Sequence, residues 1–411
     1  MLQSFDYSIL KNYFCLNIRI AMINYFSSAF KLGILGGGQL GKMLLYETRK
    51  LDIHTIVMDP SDEAPCKISA NTFIQGDLMD YDAVLNFGRK VDLLTFEIES
   101  VNLEALKQLE KEGIKVYPSP NTLEKISDKV VQKQFYLDNG ISTAAFSAYN
   151  SRAELLKAST ENQVSFPFVW KSATGGYDGR GVMIVKTQED LNQIPEGKCL
   201  AEKLIPFKNE LAVIVARNPS GEVVSYPVVE MEFHPVANQV EYVICPARIE
   251  ESISKKARDL AEKVSAAFEH VGLLAVEMFL TQDEELVVNE VAPRPHNSGH
   301  YSIEASYTNQ FEQHLRAILD LPLGNTASKV AGIMVNLSGE ENHKGVPIYQ
   351  NMEQILKMPG VTPHIYGKKE TRPFRKMGHV TIVNKDIQKA RTIAEEVKNT
   401  LKVISENKVS I

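Results

Sequence analysis

Apolar residues follow two rhythms along this chain. The first is short apolar runs alternating with stretches of helical spacing. Leu32-Gly-Ile-Leu35 precedes a helix-like stretch ending near Lys50, and Ile53-His-Thr-Ile-Val-Met58 comes next. Val91-Asp-Leu-Leu-Thr-Phe96 then leads into a helix over Val101–Glu112. Buried strands separated by helices predict a parallel α/β layer. Tyr117-Pro-Ser-Pro120 punctuates its end. A helix over about Asn121–Asn139 carries Lys129 and Lys133 and stops at Gly140. From Phe166 to Phe279 the rhythm changes to short apolar runs broken by turns, with one helix at about Ser254–His270. That pattern predicts an α+β region on antiparallel sheet. A helical stretch over Asn309–Leu319 closes it, and Asp320-Leu-Pro-Leu-Gly324 leads into a smaller C-terminal unit.

A length of 411 residues is enough for two or three domains with large cores. The composition, 44% apolar and 23% charged, is that of an ordinary soluble protein. A net charge of −6 gives no polyelectrolyte signature and argues against nucleic acid as a partner. Cys15, Cys66, Cys199 and Cys245 show no CxxC or zinc spacing and read as reduced thiols of a cytoplasmic protein. In residues 1–30, Asp6, Lys11 and Arg19 interrupt the apolar character, and the uncharged run from Ile20 to Phe30 is too short to span a bilayer. A signal peptide is the weaker alternative, because no clear small-x-small cleavage site precedes Lys31. The segment reads as an extension with no assigned function, and Met22 is an alternative start.

Five groups of residues carry candidate chemistry. Lys171-Ser-Ala-Thr-Gly-Gly-Tyr-Asp-Gly-Arg-Gly181 lies between the strand-like runs Phe166–Trp170 and Val182–Val185, so it is the loop of a β-hairpin. Its glycines let backbone N–H groups approach oxyanions, and the lysine adds a point charge. A phosphate flap and a plain glycine-rich surface hairpin share this signature. Gly36-x-Gly38-x-x-Gly41 opens a helix after a strand, with Asp59 about 20 residues on, where a dinucleotide's ribose-binding acid belongs. A helix N-terminus holding a phosphorylated substrate fits equally well, as does a tight turn with no ligand. Glu277 and Glu290 lie on two strand-like runs joined by the polar turn Thr281–Glu285, so the acids are expected to face one another. Two such carboxylates suit Mg²⁺, which takes one or two of them plus phosphate and water. Arg294, His296, Asn297, Ser298 and His300 then gather in a loop stiffened by Pro293 and Pro295, all able to donate to an anion. Lys368-Lys-Glu-Thr-Arg-Pro-Phe-Arg-Lys376 packs five cations into nine residues of an acidic protein, which favours an anionic ligand over a merely solvated turn.

Taken in order, these pieces resemble the ATP-grasp superfamily and, within it, the N5-carboxyaminoimidazole ribonucleotide synthase branch. The motifs that carry the resemblance are Gly36-Gly-Gly-Gln-Leu-Gly-Lys-Met43, Gly175-Gly-Tyr-Asp-Gly-Arg-Gly181, Asn289-Glu-x-Ala-Pro-Arg-Pro-His-Asn-Ser-Gly-His300 and Arg375-Lys-Met-Gly-His379. The likeness runs from about Lys31 to about His379. It implies a Rossmann-like domain over 31–125, an ATP-grasp domain over 126–325 with a mobile lid at about 145–207, and a small C-terminal domain over 326–411. It implies an ATP-dependent ligase that carboxylates 5-aminoimidazole ribonucleotide with bicarbonate by way of carboxyphosphate, a step of purine biosynthesis. Mg²⁺, with Mn²⁺ as an alternative, would be the metal, and the enzyme a cytoplasmic homodimer with no membrane partner.

By motif position, the resemblance places Lys129 and Lys171 on phosphates, with Gly176, Tyr177, Asp178, Gly179, Arg180, Gly181 and Val182 as the flap. Glu202, Lys203, Leu204 and Ile205 would run along adenine, Glu210 would hold the ribose, and Asn289 would sit beside the metal acids Glu277 and Glu290. Arg180 and Arg294 would suit carboxyphosphate, and Tyr177 and Asp178 would face the acceptor amine. Gln39, Leu40, Glu97, His296, Asn297, Ser298, Lys368 and Arg375 would hold the ribonucleotide. One departure is that the family's histidine after Tyr226-Pro-Val-Val-Glu230 is replaced by Phe233, with His234 one place later.

Three rivals are weaker. Another ATP-grasp ligase, acting on a different phosphorylated amine or carboxylate, would be told apart by which substrate drives phosphate release. A nicotinamide-dependent oxidoreductase built on Gly36–Gly41 and Asp59 leaves the acid pair, the flap and the basic turn unexplained. A non-catalytic ATP sensor leaves the metal and anion groups without a purpose.

Overall fold

The computed structural model describes residues 24–27, 29–176, 181–235 and 238–406. The alternating apolar runs near the N-terminus form five parallel strands: β1 (Lys31–Leu35), β2 (His54–Asp59), β3 (Thr72–Gln75), β4 (Leu93–Phe96) and β5 (Lys115–Val116). Helices α1 (Gln39–Lys50), α2 (Tyr81–Gly88) and α3 (Leu103–Lys111) connect them. The strand order is β3-β2-β1-β4-β5, with Leu35 of β1 beside Phe96 of β4. The order reverses between β1 and β4, and their carboxyl ends flank the crevice where open α/β sheets take ligands. Gly36 and Glu97 stand at those two ends.

The helix expected over Asn121–Asn139 is two helices, α4 (Pro120–Ser127) and α5 (Lys129–Asp138). Asp128 breaks it with extended backbone, and its carboxylate accepts from the N–H groups of Val130 (2.8 Å) and Val131 (3.3 Å). An aspartate offers these donors a cap in place of a continued helix. Lys129 thereby falls in the first turn of α5.

A four-stranded antiparallel sheet, ordered β6-β9-β7-β8, comes from Phe146–Tyr149, Cys199–Lys203, Phe168–Ser172 and Val182–Val185. Between β6 and β7 lies α6 (Arg152–Thr160). The larger sheet begins with β10 (Phe207–Arg217), β11 (Val223–Ser225), β12 (Val229–Phe233) and β13 (Val240–Cys245). After α7 (Glu251–Ala267) come β14 (Gly272–Thr281) and β15 (Leu286–Ala292). Helices α8 (Ser302–Ala305) and α9 (Gln310–Ile318) lead to β16 (Ala331–Ser338), β17 (Ile348–Gln350), α10 (Met352–Ile355), β18 (Val361–Ile365), β19 (Lys376–Asn384), α11 (Ile387–Thr400) and β20 (Lys402–Ile404).

The main path of that sheet is β15-β14-β10-β12-β13-β16-β19-β18. The C-terminal strands therefore extend the central sheet, joined where Tyr242 of β13 pairs with Val335 of β16. One face of the sheet packs Leu211, Val213 and Val276 against Ile253, Ala257 and Ala261 of α7. Because strand residues alternate faces, Glu210, Glu277 and Glu290 project from the other face. The α9 residues Phe311 and Leu315 share a core with Leu40 and Leu44 of α1, which fixes the first layer against the sheet.

Candidate active site

Glu277 and Glu290 are direct partners across the β14–β15 ladder, beside a register shift after Glu277. Like charges placed so oppose folding unless something compensates. The Lys129 ammonium donates to Glu290 Oε2 and, with Lys171 behind it, holds that carboxyl down to about 2. Burial, then the charges of Glu290 and Glu210, hold Glu277 well above the usual carboxylate range. Glu290 opens onto the cleft with 40% of its side chain exposed, against 14% for Glu277. Glu210, on the same face, is pushed up to about 8 by burial and by Glu290. Among the described residues no three His, Cys, Asp or Glu side chains converge on a metal position. The pair thus suits a hard cation that brings most of its ligands with a phosphate.

Lys171 Nζ donates to Asn289 Oδ1 at 2.7 Å and lies 3.0 Å from Glu202 Oε2. On the other side, Lys133 Nζ is 3.3 Å from Glu202 Oε1 and donates to Thr143 Oγ1 at 2.7 Å. No motif in the sequence assigns Lys133 a role. Its spacing four residues after Lys129 puts both on one face of α5, which is the signal that points to it.

Next to these charges is a cavity of about 820 Å³, lined by Phe146, Phe166, Glu202, Lys203, Leu204 and Ile205 among others. A flat aromatic group fits such a lining. Gly176, Gly181 and Val182 flank the loop that closes the β7–β8 hairpin, and Ser172 N–H donates to Gly181 O at 2.8 Å. Tyr177, Asp178, Gly179 and Arg180 lie outside the described residues. His234 lines a separate cavity of about 200 Å³ with Phe374 and Asn336.

At the other end of the cleft, the glycine turn is held by acids. Gly37 N–H donates to Asp59 Oδ2 at 2.7 Å, and Gly38 and Gly41 N–H donate to the two oxygens of Glu97 at 2.8 and 3.3 Å. Asp59 thus braces the turn, and its other oxygen accepts from Ser61 N–H at 2.8 Å. Gln39 and Leu40 supply the first N–H groups of α1, which have no acceptor within the helix.

The loop after β15 is tied on three sides. Arg294 Nε lies 2.8 Å from Glu99 Oε1. His296 Nδ1 meets Ser298 Oγ at 2.9 Å, while its Nε2 is 3.4 Å from Glu277 Oε1. Asn297 and Asn336 exchange amide hydrogen bonds at 2.9 Å. His300 is not an exposed anion donor: it is 1% exposed, bonded to Gln310 and stacked on Phe311 and His379.

In the basic turn, Lys368 Nζ donates to Lys376 O at 2.7 Å and Arg375 Nη1 to Glu370 O at 2.8 Å. Lys42 of α1 reaches Ile365 O at 2.9 Å, so the turn and the glycine loop lie together. Lys376, the last of the five cations in this turn, has its charge acting on Glu277.

Three family models cover most of the chain: a ribonucleotide synthetase preATP-grasp domain over residues 29–127, an ATP-grasp domain over 134–311, and a phosphoribosylaminoimidazole carboxylase C-terminal domain over 332–392. N5-carboxyaminoimidazole ribonucleotide synthase of Bacillus subtilis is 38% identical over 357 residues, 86% of this chain and 91% of that one. The chain belongs to the N5-carboxyaminoimidazole ribonucleotide synthase family of ATP-grasp ligases. Phosphoribosylaminoimidazole carboxylase of the yeast Ogataea methanolica is 40% identical over 368 residues, 87% of this chain and 67% of that protein. The chain spans 63–67% of the length of the yeast relatives it matches. A synthase structure from Aspergillus clavatus, in complex with ADP and 5-aminoimidazole ribonucleotide, superposes with a TM-score of 0.82 at 36% identity, covering 90% of this chain and 98% of that one. No described helix is long and apolar enough to cross a membrane.

The synthase fold buries Glu97 against the glycine turn, and burial pushes its carboxyl up to about 7. A folded value above the unfolded one, near 4.5, means the folded state holds the proton more tightly. The stability this contributes is complete below about 4.5 and is lost as pH rises through about 7. The thermal midpoint of the parent should therefore fall relative to that of Glu97→Gln across this window. Calorimetric scans of both between pH 4.5 and 8 measure it, and a constant difference would show that Glu97 is ionised throughout.

Proposed function

We propose that this chain couples ATP hydrolysis to carboxylation of 5-aminoimidazole ribonucleotide by bicarbonate, giving N5-carboxyaminoimidazole ribonucleotide, ADP and phosphate. The observation that carries this reading is the register pair Glu277–Glu290, flanked by Lys129 and Lys171 and placed between an aromatic cavity and a cationic, glycine-rich end.

In this reading Glu277 and Glu290 hold Mg²⁺, or Mn²⁺ with the same oxygen preference, and the ion supplies charge neutralisation to the phosphates. Lys129 and Lys171 meet phosphate oxygens with Asn289 beside them, Glu202–Ile205 line adenine, and Glu210 accepts from the ribose hydroxyls. Bicarbonate attacks the γ-phosphate and carboxyphosphate forms. Catalysis of that step is positioning and electrostatics. The flap from Gly176 to Val182 keeps water from this labile anion. Arg180 and Arg294 hold it, and Tyr177 and Asp178 face the acceptor, with Asp178 orienting or deprotonating the amine. The carboxylate passes to that amine directly or as CO₂. Gln39 and Leu40 N–H, Glu97, His296, Asn297, Ser298, Lys368 and Arg375 hold the ribonucleotide, whose 5′-phosphate needs N–H and cationic donors. The domain spans 31–125, 126–325 and 326–411, and a cytoplasmic homodimer, belong to the same reading.

The test is ADP release with and without each co-substrate. Release should require both 5-aminoimidazole ribonucleotide and bicarbonate; the same rate without the ribonucleotide overturns the reading. Arg375→Ala should weaken ribonucleotide binding by about 1.5–3 kcal/mol, the worth of a charged hydrogen bond, and leave Mg-ATP binding nearly intact. Titration calorimetry with each ligand separates the two, and loss of ATP affinity alone would move the basic turn to the nucleotide end.

A further inference from the structure

Glu202 is 3% exposed, and its carboxylate lies between two lysines rather than one. Lys171 approaches Oε2 at 3.0 Å and Lys133 approaches Oε1 at 3.3 Å. Lys133 is 1% exposed and enters from the middle of α5, so it offers a ligand no surface of its own. It is fixed from behind: Thr143 Oγ1 accepts from its Nζ at 2.7 Å and donates to Val288 O at 2.8 Å. Burying a third charge beside a pair that already balances is costly. A lone Lys171–Glu202 pair would be neutral, and its ammonium would offer an anion little net attraction. With Lys133 taking the other oxygen, the trio carries one net positive charge, and Lys171, which also donates to Asn289, is its member nearest the acid pair.

We propose that Lys133 is a positioning residue of the phosphate site: it neutralises Glu202 so that the Lys171 charge remains available to the nucleotide phosphates. Burial, then the charge of Lys171, push the Lys133 ammonium down to about 8, and at pH 7 it is still largely protonated. The inference rests on the reading of this cleft as the ATP site.

Titration calorimetry at pH 7 with Mg-ADP and with adenosine gives the test. Mg-ADP binding by the parent chain is measured first, because its absence would overturn the site reading itself. Given that binding, Lys133→Met should raise the Mg-ADP dissociation constant about tenfold or more and leave that of adenosine unchanged. Lys133→Arg, which keeps the charge, should restore most of the affinity. In the Glu202→Gln background no carboxylate is left to neutralise, so Lys133→Met should change Mg-ADP affinity by less than about threefold relative to Glu202→Gln alone. Equal Mg-ADP affinity in parent and Lys133→Met overturns the proposal. So does a parallel loss for adenosine, which would mean that Lys133 only braces the sheet carrying Glu202. If Lys133→Met alone does not fold, the comparison within the Glu202→Gln background decides: a change under about threefold supports the charge role, and a loss of about tenfold rejects it.

Discussion

Glu290→Gln is expected to leave the fold intact and to lower ATP turnover by at least about 100-fold, the usual consequence of losing a major electrostatic stabiliser. The amide keeps the shape of the side chain and can still meet Lys129. It also relieves the repulsion across the ladder, where Glu277 stands directly opposite. The lost Lys129 ion pair works the other way, so a modest drop in stability without unfolding is expected. The loss of turnover falls on the member of the pair that Lys129 keeps ionised and that opens to the cleft. Circular dichroism checks the fold, and ADP release at saturating Mg²⁺ checks the rate. Near-normal turnover under those conditions would mean that the pair does not hold the metal.

Gly36→Val should act on the fold itself. Gly36 has φ of +94°, and a Cβ there would lie 2.8 Å from Glu97 Cγ and 3.0 Å from Ile98 Cγ2. A branched residue in that region costs about 1–3 kcal/mol of backbone strain. Overpacking adds about 1–3 kcal/mol more. A loss of about 2–6 kcal/mol in denaturant unfolding is expected, with weaker ribonucleotide binding in whatever remains folded. Gly113→Ala is the control, because its φ is +90° but nothing stands within 4 Å of the added atom. It should show the backbone cost alone. Equal losses for the two variants would mean that Glu97 moves aside freely and does not pin the turn.

The facing acids were legible because two apolar runs joined by a five-residue polar turn leave little choice but a hairpin. The glycine turn and the β7–β8 hairpin were legible for the same reason: the signals that make them are local. What the sequence hid depends on partners far along the chain. Lys133 takes its meaning from Glu202, and the glycine N–H groups are claimed by Asp59 and Glu97, which no spacing rule would assign to them. Apolar periodicity persists across Asp128 and so predicts one continuous helix, while the cap that causes the break is a side-chain hydrogen bond. The union of the C-terminal strands with the central sheet was hidden too, since Asp320–Gly324 has the composition of a linker although β13 and β16 pair on either side of it.

That union also decides where the sheet ends. Its outer strand on the C-terminal side is β18, which contains Pro363 and so has one N–H fewer to offer a neighbouring molecule. Were β16 absent, the terminal strand would be β13, whose Tyr242-Val-Ile-Cys245 is fully buried. Such an uncovered apolar edge is a template for self-association. The strands from β16 on thus cover that edge as well as bringing cations to the cleft.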